Sequence, residues 1–112
     1  MSADRIYHVA LASDWAQARL DGEYAVSTLG RTLADEGFIH AARADQWAGV
    51  LERFYAGVTE PLVLLAVDVS LLDVPVRDEA VPDSDETFPH VFGPIRVDAV
   101  VEVRDLGTDP DQ

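Results

Sequence analysis

Residues 62–69 read Leu-Val-Leu-Leu-Ala-Val-Asp-Val, an almost unbroken apolar run that is rich in β-branched side chains and follows Pro61. A strand with one face in water alternates apolar and polar residues, whereas a strand covered on both faces stays apolar along its length. The run therefore predicts a central strand that is buried on both faces. Its apolar part, residues 62–67, is far too short to cross a bilayer.

Upstream of this strand, the pattern predicts a first strand and two well-marked helices. Residues 5–11 are rich in β-forming side chains that alternate between two faces. Ser13 is placed to cap a helix that ends at Gly22. Asp45 is placed to cap a second helix, ending at Gly57, whose apolar side chains follow the i, i+3, i+4, i+7 rule: Trp47, Val50, Leu51 and Phe54.

The segment between these two helices has a weaker pattern. Residues 24–27 are predicted to be irregular, and residues 28–36 to form a further short helix. Gly37 stands where a left-handed residue often ends a helix. Residues 38–41 are predicted to form a second strand.

The second half of the chain is predicted to consist mainly of strands and loops. Residues 74–76 suit a short strand, and the acidic residues 79–87 suit an exposed loop. Two prolines and a glycine make residues 88–95 an ordered but irregular segment. Residues 95–103 alternate in a way that predicts a final strand.

This distribution of elements predicts the fold class. Helices crowd the first half and strands the second, which indicates an α+β fold with a mixed or antiparallel sheet and a few helices. The chain has 112 residues, the size of one domain. We expect a small single domain over residues 1–106, followed by a frayed acidic tail at 107–112.

The charge balance and the absence of cysteine exclude several classes of function. Eight arginines and no lysine face 21 acidic residues, for a formal charge of −13. Such a charge repels nucleic acid and anionic membranes, so neither is an expected partner. Without cysteine there is no disulfide, thiolate nucleophile or zinc–thiolate site. The first thirty residues show no basic segment followed by an apolar run, so we expect a cytoplasmic location.

The three histidines are the most informative polar residues. His8, His40 and His90 each lie among aromatic or aliphatic neighbours. A buried imidazole needs partners for its ring nitrogens, so burying all three is costly unless they line one cleft or share a network. We therefore predict that they converge on one hollow. The alternative is that each ring bonds a nearby carbonyl.

Known motifs for other chemistries are missing from the sequence. The histidines have no metal-ligand spacing, so no metal is expected. No Gly-x-Ser-x-Gly elbow and no glycine-rich phosphate loop is present. Among the remaining candidates, Glu79 is placed to act as a base or to bind a ribose hydroxyl. The alternative is that its side chain is simply exposed to solvent. Arg53 meets a phosphate or a surface carboxylate, and Trp15 belongs to a core or to a cleft wall.

An ordered set of short strings resembles a known bacterial family. They are Ile-Tyr-His at 6–8, Trp15, Glu-Gly-Phe-Ile-His-Ala at 36–41, Asp45-Gln46, Arg53-Phe54-Tyr55, the strand at 62–68, and Phe-Pro-His-Val-Phe-Gly-Pro-Ile at 88–95. The chain is identified by them as a member of the family catalogued as domain of unknown function 952. The resemblance covers roughly residues 5–103.

The family is similar in fold to the ADP-ribosyltransferases, especially the branch related to RNA 2′-phosphotransferases, which bind NAD or ADP-ribose in the cleft of a split β-sheet. The resemblance implies that His8 meets a ribose hydroxyl and that His40 supports the nicotinamide side. Either His90 or Glu79 is the third site residue. The resemblance thus implies His8, His40, His90 and Glu79 as catalytic candidates; the ligand-binding candidates are His8, His40, Trp15, Arg53 and Tyr55.

Three functions follow from these expectations. In the first, the cleft binds NAD, ADP-ribose or a related nucleotide and promotes cleavage or transfer at ribose C1′. In the second, the chain is a non-catalytic module that binds a small metabolite. In the third, it modifies another small molecule, with His40 or His90 as general base. The expected partner in each case is a small molecule or nucleotide, and the sequence does not indicate a protein partner.

Overall fold

The apolar run forms the centre of the molecule. A computed structural model describes residues 4–28, 31–81 and 85–107. The helices are α1 Ala12–Asp21, α2 Leu33–Glu36 and α3 Trp47–Phe54, and two 3-10 turns lie at Val69–Leu71 and Val97–Ala99. The strands are β1 Arg5–Leu11, β2 Glu23–Tyr24, β3 Val26–Thr28, β4 Arg31–Thr32, β5 Ile39–His40, β6 Leu62–Asp68, β7 Val76–Ala80, β8 Thr87–Val91, β9 Ile95–Arg96 and β10 Val100–Gly107.

Strand β6 lies between β1 and β10 in a three-stranded antiparallel sheet. Leu65 and Val67 pack into the larger apolar cluster, whereas Leu62 and Leu64 pack into a second cluster on the opposite face. Since successive side chains of a strand point to opposite faces, one apolar run supplies both cores. The prediction of a central strand buried on both faces is confirmed.

A second three-stranded sheet has the order β5-β8-β7, and it places two histidines side by side. His40 of β5 is paired in register with His90 of β8. The two larger sheets meet where Tyr7 of β1 and Ala42 exchange backbone hydrogen bonds of 2.7 and 2.8 Å. Every strand pairing among the described residues is antiparallel, and the short pairs β2-β9 and β3-β4 complete the α+β domain.

Both of the well-marked helices are confirmed, but their caps differ from the prediction. Helix α1 begins at Ala12 with Leu11 as the N-cap, so Ser13 lies inside its first turn. Strand β1 runs directly into this helix, and the amide of Ala12 donates to the Pro61 carbonyl at 2.9 Å. Helix α3 begins after Gln46, and Asp45 is not its cap. A tertiary hydrogen bond thus replaces the expected side-chain cap at α1, whereas at α3 the amides of Gln46 and Trp47 donate to the nearby Arg43 carbonyl.

The predicted helix over residues 28–36 is wrong at residues 28, 31 and 32, which lie in strands, and residues 29 and 30 lie outside the described part of the chain. Strand β4 occupies Arg31–Thr32, and Thr32 then starts the four-residue helix α2 through a reciprocal capping box with Asp35. Gly37 ends it at a φ of 86°, as expected. The residues predicted to be irregular at 24–27 instead contribute to β2 and β3. These strands are too short for a periodic pattern to reveal them.

Several predictions for the second half need correction. The short strand expected at 74–76 instead begins at Val76 and continues to Ala80, which places Glu79 in β7 rather than in the acidic loop. Residues 82–84 of that loop lie outside the described residues. The segment expected to be irregular at 88–95 contains most of β8. Pro89 has no N–H to donate, but its carbonyl accepts from the Ala41 amide, so the proline does not prevent strand pairing at this position.

The final strand predicted over residues 95–103 is interrupted. A 3-10 turn at Val97–Ala99 separates β9 from β10, so the apolar alternation there continues through a turn. Gly107 is the last residue of β10 rather than part of a tail, and residues 108–112 lie outside the described part of the chain. No helix within the described ranges is long and apolar enough to span a membrane.

Candidate functional site

An open pocket of about 990 Å³ receives side chains from both larger sheets and from helix α3. Its volume is at the upper end of the range for small-molecule sites. The walls are largely aromatic, with Tyr7, Phe38, Trp47, Phe54, Tyr55 and Phe88. All three histidines of the chain are part of the lining, together with Glu36, Arg53 and Glu79. The predicted convergence of His8, His40 and His90 on one hollow is thus what the structure contains.

His90 and Glu79 form a carboxylate–imidazole pair in which the imidazole is buried and the carboxylate is partly exposed. Nδ1 of His90 lies 2.8 Å from Oε1 of Glu79, and the His90 side chain is only 3% exposed, against 39% for Glu79. A carboxylate only accepts, so Nδ1 carries the proton and donates it. In the neutral ring, Nε2 then holds a lone pair. That atom is buried and has no hydrogen-bond partner among the described residues.

His40 and Glu36 form a second such pair, nearer to solvent. Nε2 of His40 lies 3.3 Å from Oε1 of Glu36, and the His40 side chain is 39% exposed. The other oxygen of Glu36 accepts from Arg31 Nη2 at 2.7 Å, which fixes the carboxylate. Glu36 is the last residue of helix α2, which ends at Gly37. The short turn that follows brings the Glu36 carboxylate next to the imidazole of His40, four residues later in the sequence.

Phe38 joins the two pairs into one cluster. Its ring stacks on His90, with centroids 4.1 Å apart and planes at 17°, and meets the edge of His40 at 4.8 Å. The two imidazoles are themselves 5.1 Å apart at 82°. Because the cross-strand register pairs His40 with His90, this contact follows directly from the pairing of β5 with β8.

His8 also borders the pocket, but protein groups occupy both of its ring nitrogens. Nδ1 lies 2.5 Å from the carbonyl oxygen of His40, and Nε2 lies 3.0 Å from the hydroxyl of Tyr24. Burial lowers the pKa of His8 from 6.5 to about 4, because charging the ring would cost solvation, and the His40 hydrogen bond opposes this only in part. The ring is therefore neutral near pH 7.

The other predicted site residues separate into two groups. Arg53 and Tyr55 line the pocket, and the Tyr55 hydroxyl donates to the Val9 carbonyl at 3.2 Å. Trp15 is not part of this lining; α1 carries it to the larger apolar core on the other side of the central sheet. Glu79 lies on strand β7, not in a solvated loop. It is hydrogen-bonded to His90, so the two residues proposed as alternatives for the third site residue are in direct contact.

Three residues of this region were missed by reasoning from the sequence. Glu36 and Phe38 belong to the Glu-Gly-Phe-Ile-His string, where a strand period places Phe38 and His40 on one face. Gln46 is buried: its amide nitrogen donates to Glu86 Oε1 and to the Thr87 carbonyl, both at 3.0 Å. It therefore fixes the start of β8 against α3. In the sequence, Gln46 stands next to Asp45, the predicted cap, and nothing there indicates that its side chain is buried.

The pocket is suited to organic ligands that contain a ring. Among the described lining residues, Glu36 and Glu79 outnumber the single basic side chain, Arg53. Arg31, which lies outside the lining, pairs with Glu36, so Glu79 is the carboxylate that favours a ligand carrying or developing positive charge nearby. Within the described ranges, no group of three or more histidine or acidic side chains is placed to hold a metal ion.

Comparison with known proteins places the chain among uncharacterised relatives. The family model described as "Protein of unknown function (DUF952)" matches residues 9–103. The crystal structure of protein CC0527 from Caulobacter crescentus is 29% identical, has a TM-score of 0.80, and covers 96% of this chain and 90% of its own. The solution structure of the same protein is 32% identical with a TM-score of 0.74, covering 96% and 88%. No curated protein matches the sequence.

Proposed function

We propose that this chain, which belongs to the DUF952 family of proteins of unknown function, binds the nicotinamide–ribose part of NAD or a related nucleotide in its histidine-lined pocket. We further propose that it cleaves or transfers at ribose C1′, on a fold similar to that of the ADP-ribosyltransferases, in the cytoplasm. The observation that carries the proposal is the carboxylate-backed imidazole of His90, whose Nε2 lone pair has no protein partner among the described residues.

The chemistry of the lining supports a ribosylated ring as ligand. The aromatic walls offer faces on which a planar heterocycle can stack. Carboxylates and imidazoles are good partners for a vicinal diol, and Glu36 with His40 presents both at the more exposed side. Arg53 is available in the lining for a phosphate oxygen. The Glu79 carboxylate in the lining favours the cationic nicotinamide ring over neutral analogues.

The same groups support a displacement at C1′. The C1′–N bond breaks with its electron pair going to the nicotinamide nitrogen, which neutralises the ring and leaves positive charge on the ribose. Nε2 of His90 accepts a proton from the attacking water or hydroxyl as the new O–C1′ bond forms. Glu79 then stabilises the imidazolium. Because Nε2 is hidden from solvent, we expect ligand entry to displace a neighbouring side chain, such as the stacked Phe38.

Titration calorimetry with NAD, ADP-ribose and nicotinamide, together with chromatography of released nicotinamide, tests this function. We expect saturable binding of NAD and slow nicotinamide release by the wild-type protein. At 100 times its dissociation constant, a bound ligand raises the free energy of unfolding by ~2.7 kcal/mol, which a thermal shift also detects. The Glu60→Gln variant, altered at an exposed carboxylate outside the lining, serves as the matched control. No binding of any of the three compounds refutes the proposal.

A second candidate function has an observation of its own. The described lining offers one arginine, and the sequence has no glycine-rich phosphate loop, so a ligand without a diphosphate also fits the pocket. In that case the Glu79–His90 pair acts as general base on another aromatic small molecule. Binding of nicotinamide without binding of ADP-ribose favours this candidate, whereas binding of NAD without turnover favours a metabolite-binding module.

A further inference from the structure

We infer that His8 is a positioning residue: together with Tyr24, it holds the backbone carbonyl of His40 and thereby places the His40 imidazole in the pocket. The inference concerns the same pocket and rests on the proposed function for its consequences in catalysis. It replaces the direct ribose contact that family resemblance implies for His8. The hydrogen bonds of the free protein carry it, so it can be tested without any ligand.

The hydrogen-bond partners assign the tautomer of His8. A carbonyl oxygen only accepts, so Nδ1 of His8 carries the proton and donates it to His40 O. Nε2 is then the acceptor, and the Tyr24 hydroxyl donates to it at 3.0 Å. Both side chains are buried, and their rings meet edge to face with centroids 5.1 Å apart. Neither nitrogen of His8 is left for a ligand.

The place of this contact explains what it can do. Strand β5 has only two residues, Ile39 and His40, so few backbone bonds fix its position. The tie from His8 joins β5 to β1, beside the two backbone bonds between Tyr7 and Ala42. A shift of the His40 carbonyl moves the attached imidazole relative to Glu36 and His90. Through one hydrogen bond, His8 therefore holds the His40 imidazole in place beside Glu36 and His90.

The surroundings keep this tie in one protonation state. His8 faces Tyr24 and the His40 ring, and Tyr24 in turn is influenced by Asp14 and Tyr55. Burial raises the pKa of Tyr24, so its hydroxyl remains a donor. Burial of His8 lowers its pKa to about 4, so its ring remains neutral near pH 7. The His40 position is thus held constant over the pH range in which imidazole catalysis operates.

Nitrogen-15 NMR of the imidazole rings in the free wild-type protein gives the first test. We expect His8 to show a protonated Nδ1 and an unprotonated Nε2 throughout pH 5.5–8, a range chosen around the usual histidine pKa of about 6.5. The opposite tautomer, or a ring that becomes charged with an ordinary histidine pKa, overturns the inference. Neither result depends on whether NAD binds.

A pair of substitutions gives the second test. His8→Asn keeps an N–H donor near the position of Nδ1, whereas His8→Leu removes it. We expect His8→Leu to move the ring resonances of His40 and to lower kcat/KM at least 10-fold. His8→Asn should restore most of both. Tyr24→Phe should leave the Nδ1 bond in place and give a smaller effect.

Controls separate positioning from a loss of packing. Ile6→Val shortens another buried side chain of β1 that does not line the pocket, and it should leave the His40 resonances unchanged. Unchanged His40 resonances in both His8 variants contradict the inference. If His8→Leu does not fold, the wild-type tautomer and the Asn and Tyr24→Phe variants still decide it. If the wild-type protein does not turn over NAD, the proposed function is refuted, but the inference about His8 is not.

Discussion

Under the proposed NAD cleavage, we expect replacement of His90 with glutamine to reduce nicotinamide release by about 100-fold to 10,000-fold, the range that a general base contributes. Glu79→Gln should fall in the same range, because its amide cannot stabilise an imidazolium as a carboxylate does. His90 and Glu79 act through the one 2.8 Å hydrogen bond, so the double variant should lose little more than either single one. Initial rates at saturating NAD measure the effect.

The control for this prediction is a carboxylate outside the pocket. Glu60→Gln makes the same chemical change on the surface and should keep the wild-type rate. Circular dichroism and melting temperature verify that the His90 and Glu79 variants remain folded. A folded His90→Gln protein that releases nicotinamide at the wild-type rate would show that this imidazole is not the base.

Acidification from pH 7 to pH 4 will reduce the free energy of unfolding through His8, by up to roughly 3 kcal/mol if the whole pKa difference between 6.5 and about 4 applies. The folded state binds the proton more weakly than the unfolded chain does. The contribution of His8 is therefore complete above the unfolded pKa and is lost as pH falls from 6.5 towards 4. Urea unfolding at a series of pH values measures it.

The variant His8→Asn isolates this effect from the other titrating groups. It removes the imidazole but keeps a donor, so the stability difference between wild type and variant should shrink as pH falls through this window. Asp14, whose pKa burial raises, titrates in both proteins and cancels in the difference. A difference that stays constant between pH 7 and pH 4 would contradict the buried neutral state of His8.

The central strand and the main helices were predictable because they repeat a simple pattern. The apolar run at 62–68 needs cover on both faces, and β6 receives it from two clusters. The stripe along α3 likewise follows from helical periodicity. Each of these elements contains many side chains that favour the same secondary structure, so a few residues that do not fit the pattern leave the element unchanged.

The site was only partly predictable, because it depends on pairings between distant segments. Three histidines in apolar surroundings indicated a shared hollow, and the pocket contains them. Nothing in the sequence gave the register that pairs His40 with His90, or the strand that carries Glu79 to it. The bonds of His8 to Tyr24 and to a backbone carbonyl were hidden for the same reason. Each arises from a tertiary contact that no local pattern encodes.

The most direct test of ligand binding at the histidine cluster is a titration of isotope-labelled wild-type protein with NAD, observed through the imidazole resonances. We predict that the resonances of His40 and His90 shift together and saturate at one dissociation constant, and that the His8 tautomer remains unchanged. NAD binding that leaves the His40 and His90 resonances where they were, or no binding at all, would contradict the assignment of this pocket as the nucleotide site.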